Sequence, residues 1–128
     1  MKKPLVLVVS VVVVLLSLWL VHSRIEALRA QAQREAAYRT ELEHFQHDLR
    51  LGMHRSEVKS YLDTQKITYS EISWNFDVGI GQEPSNSIFC DHWDVYIGMG
   101  FIRLKGQTGA SSFDNLDSIS VRRIGTCL

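Results

Sequence analysis

The sequence is poor in the residues that break or staple a chain. Its 128 residues include two prolines and two cysteines, and 14 basic side chains balance 14 acidic ones. With zero formal charge and no Lys/Arg tract, there is no electrostatic case for a nucleic-acid partner or a polybasic arm. The first cysteine is Cys90, so lipid attachment at a bacterial lipobox is excluded by residue type. A cleavage site of the Ala-x-Ala kind is also missing, and Val21-His22-Ser23, before Arg24, is the best substitute. Between Ser23 and Arg50 there is neither glycine nor proline, so nothing there interrupts a helix.

What is present first is an apolar run, Pro4 to Val21, in which only Ser10 and Ser17 are polar and no residue is charged. About eighteen residues rising ~1.5 Å each cover roughly 27 Å, close to the hydrocarbon thickness of a bilayer. Each Leu or Val contributes about −0.3 to −0.6 kcal/mol to insertion. Residues 1–23 are therefore expected to be a transmembrane signal anchor, in contact with lipid through residues 4–21. Trp19 is placed for the interface. Met1-Lys2-Lys3 is a short positive head, while Arg24, Arg29, Arg34 and Arg39 lie on the other side. The head and the cysteines together favour a cytoplasmic N-terminus, a single pass through the inner membrane, and a C-terminal domain outside the cytoplasm.

Residues 24–40 are expected to form a helical stalk, and 41–128 an extracytoplasmic domain. Ala, Arg, Glu, Gln and Leu dominate the stalk, all good helix formers. Tyr38, Leu42, Phe45 and Leu49 follow at spacings of four, three and four, an apolar stripe that predicts packing on the domain. His44, His47 and Asp48 share one helical face, a set that two imidazoles and a carboxylate could present to a metal. No further ligand follows at a usual spacing, so a polar face is the simpler account.

The most informative soluble stretch is Leu49 to Leu62. Gly52 is placed to end the long helix in a left-handed conformation. A second helix is expected to start near His54, with Glu57 reaching back to the cap and Met53 and Val58 stapling it. The string Leu-x-x-Gly-Met-x-x-x-Glu-Val-x-x-x-Leu, followed by strands, resembles the small outer-membrane lipoproteins of the barrel-assembly machinery (SmpA/OmlA type). It is similar also to the wider group with the β-lactamase-inhibitor-protein-like fold. This chain has an apolar run where those lipoproteins carry a lipidated cysteine. The resemblance implies an α+β domain, with a two-helix corner packed on a three- to four-stranded antiparallel sheet. It also implies an interaction or scaffold role rather than an enzyme.

The alternation of Ile67 and Tyr69 slips at Ser70-Glu71 and resumes at Ile72, Trp74, Phe76 and Val78, which reads as one strand with a bulge or bend. Gly79 to Ser87 reads as a long flexible loop without phosphate-loop spacing. Trp93, Val95, Ile97, Met99 and Phe101 form one face of a long strand, and Gly98 and Gly100 leave its other face open to the approach of something such as a helix. Leu116, Ile119 and Val121 form the last strand. Cys90, just before the long strand, and Cys127, just after the last, are expected to meet in a disulfide, closing about 37 residues and contributing roughly 3–4 kcal/mol. Asp91, His92 and Asp94 crowd Cys90, a cluster that could suggest a metal or a Cys–His pair, and the start of a strand is the simpler account.

The sequence thus leads to a membrane-anchored protein-binding or scaffold module that needs no cofactor, has a protein partner and is not an enzyme. An inhibitor or immunity-type protein that binds an enzyme is the alternative. A small metal protein or enzyme using His44/His47 or Asp91/His92 is the third.

Overall fold

A computed structural model describes residues 3–85, 87–103 and 105–127, with side chains from residue 6 onward. Met1 and Lys2, which belong to the expected positive head, lie outside the described residues. The elements are helices α1 (Lys3–Asp48) and α2 (Arg55–Thr64), then strands β1 (Ser70–Ile72), β2 (Asn75–Pro84), β3 (Cys90–Ile102) and β4 (Asn115–Cys127). The fold is α+β, as the sequence predicts. The chain divides into two compact units, Met1–Ala37 and Tyr38–Leu128.

In the first unit every Val, Leu and Trp from Val6 to Val21 is between 49 and 67% exposed. The most apolar eighteen-residue window here has a mean hydropathy of 2.6, and none of it is buried. A helix apolar on all sides needs an apolar surround, and this one is long enough to cross a membrane. β-Branched residues such as valine favour strands in water, but in lipid the helix keeps every backbone group bonded within its own segment. The two interrupting serines follow the same rule. Ser10 Oγ donates to the Val6 carbonyl and Ser17 Oγ to that of Val13, each at 2.8 Å, so no hydroxyl is left bare.

The second unit is built around one sheet. Its strands follow chain order, β1-β2-β3-β4, all antiparallel. The C-terminal part of α1 lays Phe45 on the sheet with Leu42 beside it, Leu49 just past its end joins them, and α2 adds Val58 and Leu62, both fully buried. From the sheet, Phe76, Ile97, Met99 and Leu116 meet them. Tyr38, 6% exposed, completes the stripe.

Three expectations about the sheet are corrected. The stretch from Ile67 to Val78 is not one bulged strand. Ser73, at φ 52°, and Trp74 turn the chain, so β1 and β2 form a tight hairpin with Ile72 opposite Asn75. The residues from Gly79 to Pro84 are not loop but the continuation of β2, with a register shift between Gly79 and Gly81. The glycine at 81 serves a close approach: a Cβ there would lie 3.0 Å from the Tyr38 hydroxyl. Gly98 and Gly100 admit no helix. Gly98 lies under the Arg122 side chain and the Asp77 carboxylate, and a Cβ on Gly100 would come within 2.7 Å of Ser118 Oγ.

Candidate binding surface at the helix corner

Gly52 adopts φ 91°, a conformation that costs residues with a Cβ about 1–2 kcal/mol. That turn points backbone groups at the start of β4. Gly52 N–H donates to the Leu116 carbonyl at 2.7 Å, and Leu116 N–H donates to the Met53 carbonyl at 2.8 Å. His54 bridges to Asn115 in the same antiparallel sense. The corner therefore pairs with the first residues of β4 as a short strand would.

Helix α2 starts at Arg55 with His54 as its cap residue. The Glu57 carboxylate accepts the His54 N–H at 2.7 Å, one of the helix's otherwise orphan donors. The His54 ring faces elsewhere, with Nδ1 3.2 Å from the Phe113 carbonyl. Met53 packs against the core beside fully buried Val58, and its sulfur accepts the Arg50 N–H at 3.2 Å. Gly52, Met53, Glu57 and Val58 are thus brought together in one turn.

Beside the corner lies a groove of about 580 Å³ between the end of α1 and β4. Leu49, Leu51 and Ile119 give it an apolar floor and wall; Gln46, Arg50 and Asp117 give it a polar rim. Leu51 is 66% exposed. Gln46 Nε2 donates to the Ile119 carbonyl at 3.3 Å, so the helix meets the strand edge there.

The His44, His47 and Asp48 set is occupied by its own members and by a residue not anticipated. Tyr61 Oη donates to Asp48 Oδ2 at 2.7 Å, and His47 Nδ1 lies 2.9 Å from Oδ1. The His47 hydrogen bond, then that of Tyr61, hold the Asp48 carboxyl below its ordinary 3.8. Burial, with the Asp48 bond and charge, pushes the Tyr61 hydroxyl up to about 12. The carboxylate ties α1 to α2 across the corner. Among the described residues no group of three or more His, Cys, Asp or Glu is placed to hold a metal ion.

At the other end of the sheet Cys90 and Cys127 face each other in register and are joined by a disulfide. They lie inside β3 and β4 rather than beyond their ends. A sulfur in a disulfide cannot act as a thiolate nucleophile. The carboxylate of Asp94 accepts from Gln82 Nε2 at 2.9 Å and from Thr126 Oγ1 at 3.1 Å, which makes it a link across three strands.

Arg55 is the residue that sequence reasoning missed. It is 4% exposed. Its guanidinium carbon lies 4.5 Å from the Phe76 ring centre and 5.0 Å from that of Phe101. Nη2 donates to Glu71 Oε1 at 2.7 Å, and the Arg55 N–H donates to the carbonyl of buried Asp114 at 2.8 Å. The guanidinium so ties α2 to the β1–β2 hairpin and to Phe101 of β3, while the backbone of the same residue holds the loop before β4. The signal that could have found it is spacing: Arg55, Val58 and Leu62 fall at i, i+3 and i+7, on one helical stripe.

Compared with known families, with characterised proteins and with solved structures, the chain matches none.

Proposed function

We propose that this protein is a single-pass, membrane-anchored module that binds another protein, with its α+β domain outside the cytoplasm. The observation that carries the reading is the helix from Val6 to Val21, whose apolar side chains are all at the surface and call for lipid. Its attachment to a domain with a Cys90–Cys127 disulfide supports an extracytoplasmic compartment, since such bonds persist where the surroundings are oxidising. The corner and meander also fit what the resemblance to the barrel-assembly lipoproteins implies. The polar clusters of the domain spend their hydrogen bonds on one another, so the reading assigns no catalytic role, no cofactor and no nucleic-acid partner.

The test is thiol labelling of intact cells and of lysate with a membrane-impermeant reagent, with and without reductant. The expected result is full-length protein in the membrane fraction after carbonate extraction, labelled in intact cells only after reduction. Full-length protein in the cytosol with both thiols reduced would overturn the reading.

A second reading, an inhibitor or immunity-type protein that binds an enzyme, draws on the turn between β2 and β3. Ile88 is 92% and Phe89 70% exposed there, an apolar pair that burial against a partner would stabilise. Replacing both by serine should abolish partner binding at an unchanged melting temperature if this reading holds; unaltered binding rejects it.

A further inference from the structure

Among the described residues of the domain, one buried donor is left over. Arg55 Nη2 is spent on Glu71 Oε1 at 2.7 Å and on the Ser73 carbonyl at 3.5 Å. Nη1 of the same guanidinium is buried and meets no acceptor among the described residues, on a side chain that is 5% exposed. A buried N–H without an acceptor is a costly state, and a bound water or ion is one way such a donor is satisfied. Arg55 and Phe76 form the buried wall of a cleft of about 210 Å³ between α2, the β1–β2 hairpin and residues 110–112.

The other walls carry matching chemistry. Lys59 comes four residues after Arg55, on the same face of α2, and lines the cleft together with Ser56 and Ser112. Helix and loop are held to each other: the Ser56 N–H donates to the Ser112 carbonyl at 3.0 Å, and the Arg55 N–H to that of Asp114 at 2.8 Å. These bonds occupy the first amides of α2, so a ligand meets side-chain donors rather than a bare helix terminus. The cations of Arg55 and Lys59 outweigh the single carboxylate of Glu71, which also lines the cleft.

We propose that this cleft binds a phosphate group, held by the Arg55 guanidinium, the Lys59 ammonium and the Ser56 and Ser112 hydroxyls. A guanidinium and an ammonium on one wall call for an anion. The donors come from the helix and from the facing loop, and a phosphate turns three terminal oxygens towards separate walls where a flat carboxylate has two. Nη1 is closed to water in this conformation, so binding tilts the guanidinium towards the cleft that Arg55 already lines. The volume is below the roughly 300–1,000 Å³ of pockets that enclose a whole small-molecule ligand, so the phosphate enters and whatever carries it stays outside. A lipid headgroup and free inorganic phosphate share this chemistry. The inference stands apart from the protein-binding reading above.

The test uses the full-length protein in nonionic micelles. It is titrated with inorganic phosphate and, in a second arm, with phosphatidylglycerol added to the micelles; chloride at equal ionic strength is the control. NMR follows the Arg55 guanidinium and the Ser112 amide. Phosphate in one of the two forms should shift both signals saturably, with roughly millimolar affinity or better, and chloride should not. Saturation by the lipid where free phosphate is silent makes a headgroup the source, and the reverse makes it free phosphate. Lys59→Gln, at an exposed position, should weaken binding about tenfold, and Glu71→Gln, which removes the opposing charge, should tighten it several-fold. Should the second variant fail to fold, Lys59→Glu should abolish binding. No shift beyond that of chloride in either arm overturns the proposal, as does binding that Lys59→Gln leaves unchanged. Neither result touches the membrane-anchored reading.

Discussion

A single hydroxyl links the two helices of the corner, and its titration is a direct probe of that link. Tyr61 ionises at about 12 in the folded protein against 10.0 as its ordinary value. Its contribution to stability is therefore complete below about pH 10 and lost as pH rises towards 12. The Asp48 carboxyl is shifted the other way, downward from 3.8, so its contribution is present above that value and lost as pH falls through the folded pKa. Tyr61→Phe should flatten the loss of melting temperature between about pH 10 and 12 and move the Asp48 titration back up, both readable by melting curves and NMR titration. Arg55 makes a different case. Arg55→Met should cost about 1–3 kcal/mol in urea denaturation, and Arg55→Lys should not restore it, because an ammonium lacks the flat face that packs between Phe76 and Phe101. The spacing of Arg55 with Val58 and Leu62 was legible in the sequence; its residue type argued for solvent, and only the rings of Phe76 and Phe101, contributed by distant strands, reverse that. The Asp48–Tyr61 bond was illegible for a related reason, since helical periodicity assigned each residue to its own face and says nothing of pairs across a corner.

Among the elements, those written in periodicity came through and those punctuated by glycine did not. Tyr38, Phe45 and Leu49 are buried at their helical spacing, and β3 has the alternation of Val95, Ile97, Met99 and Phe101. Glycine signals flexibility to a reader of sequence, yet here Gly81 admits the Tyr38 ring and Gly98 admits the Arg122 side chain. A phase slip likewise signals a bulge, but the hairpin at Ser73-Trp74 is set by a non-glycine residue at positive φ, which no turn motif announces. These roles separate in mutants. Gly52→Ala meets open space and should cost only the strain of its left-handed backbone, about 1–2 kcal/mol. Gly98→Ala should cost more, because the Cβ displaces Arg122 from a carboxylate that is 2% exposed. Urea midpoints at unchanged slope would rank the two.

For the molecule as a whole, the sequence made the long apolar helix and the order of corner and sheet readable, because both rest on long stretches of uniform pattern. An arginine at Val13 should oppose insertion by about 2.5–3.5 kcal/mol, and carbonate extraction of cells expressing Val13→Arg should find more of it in the soluble fraction. Reduction of Cys90–Cys127 should remove roughly 3–4 kcal/mol from the folded domain, lowering its melting temperature in micelles while the helix corner, held by its own hydrogen bonds to Leu116, keeps its amide protection longest.

Because Leu116 N–H and C=O close the turn at Gly52 and Met53, the two helices wait for a strand that is made after them and after β3. While a ribosome is still adding β3, the corner has no far wall, and Val58 and Leu62 stay open to any chaperone at the exit site. Vectorial production of this chain thus holds its domain unfinished until β4 emerges, and translation stalled before Asn115 should leave a tethered, protease-sensitive intermediate.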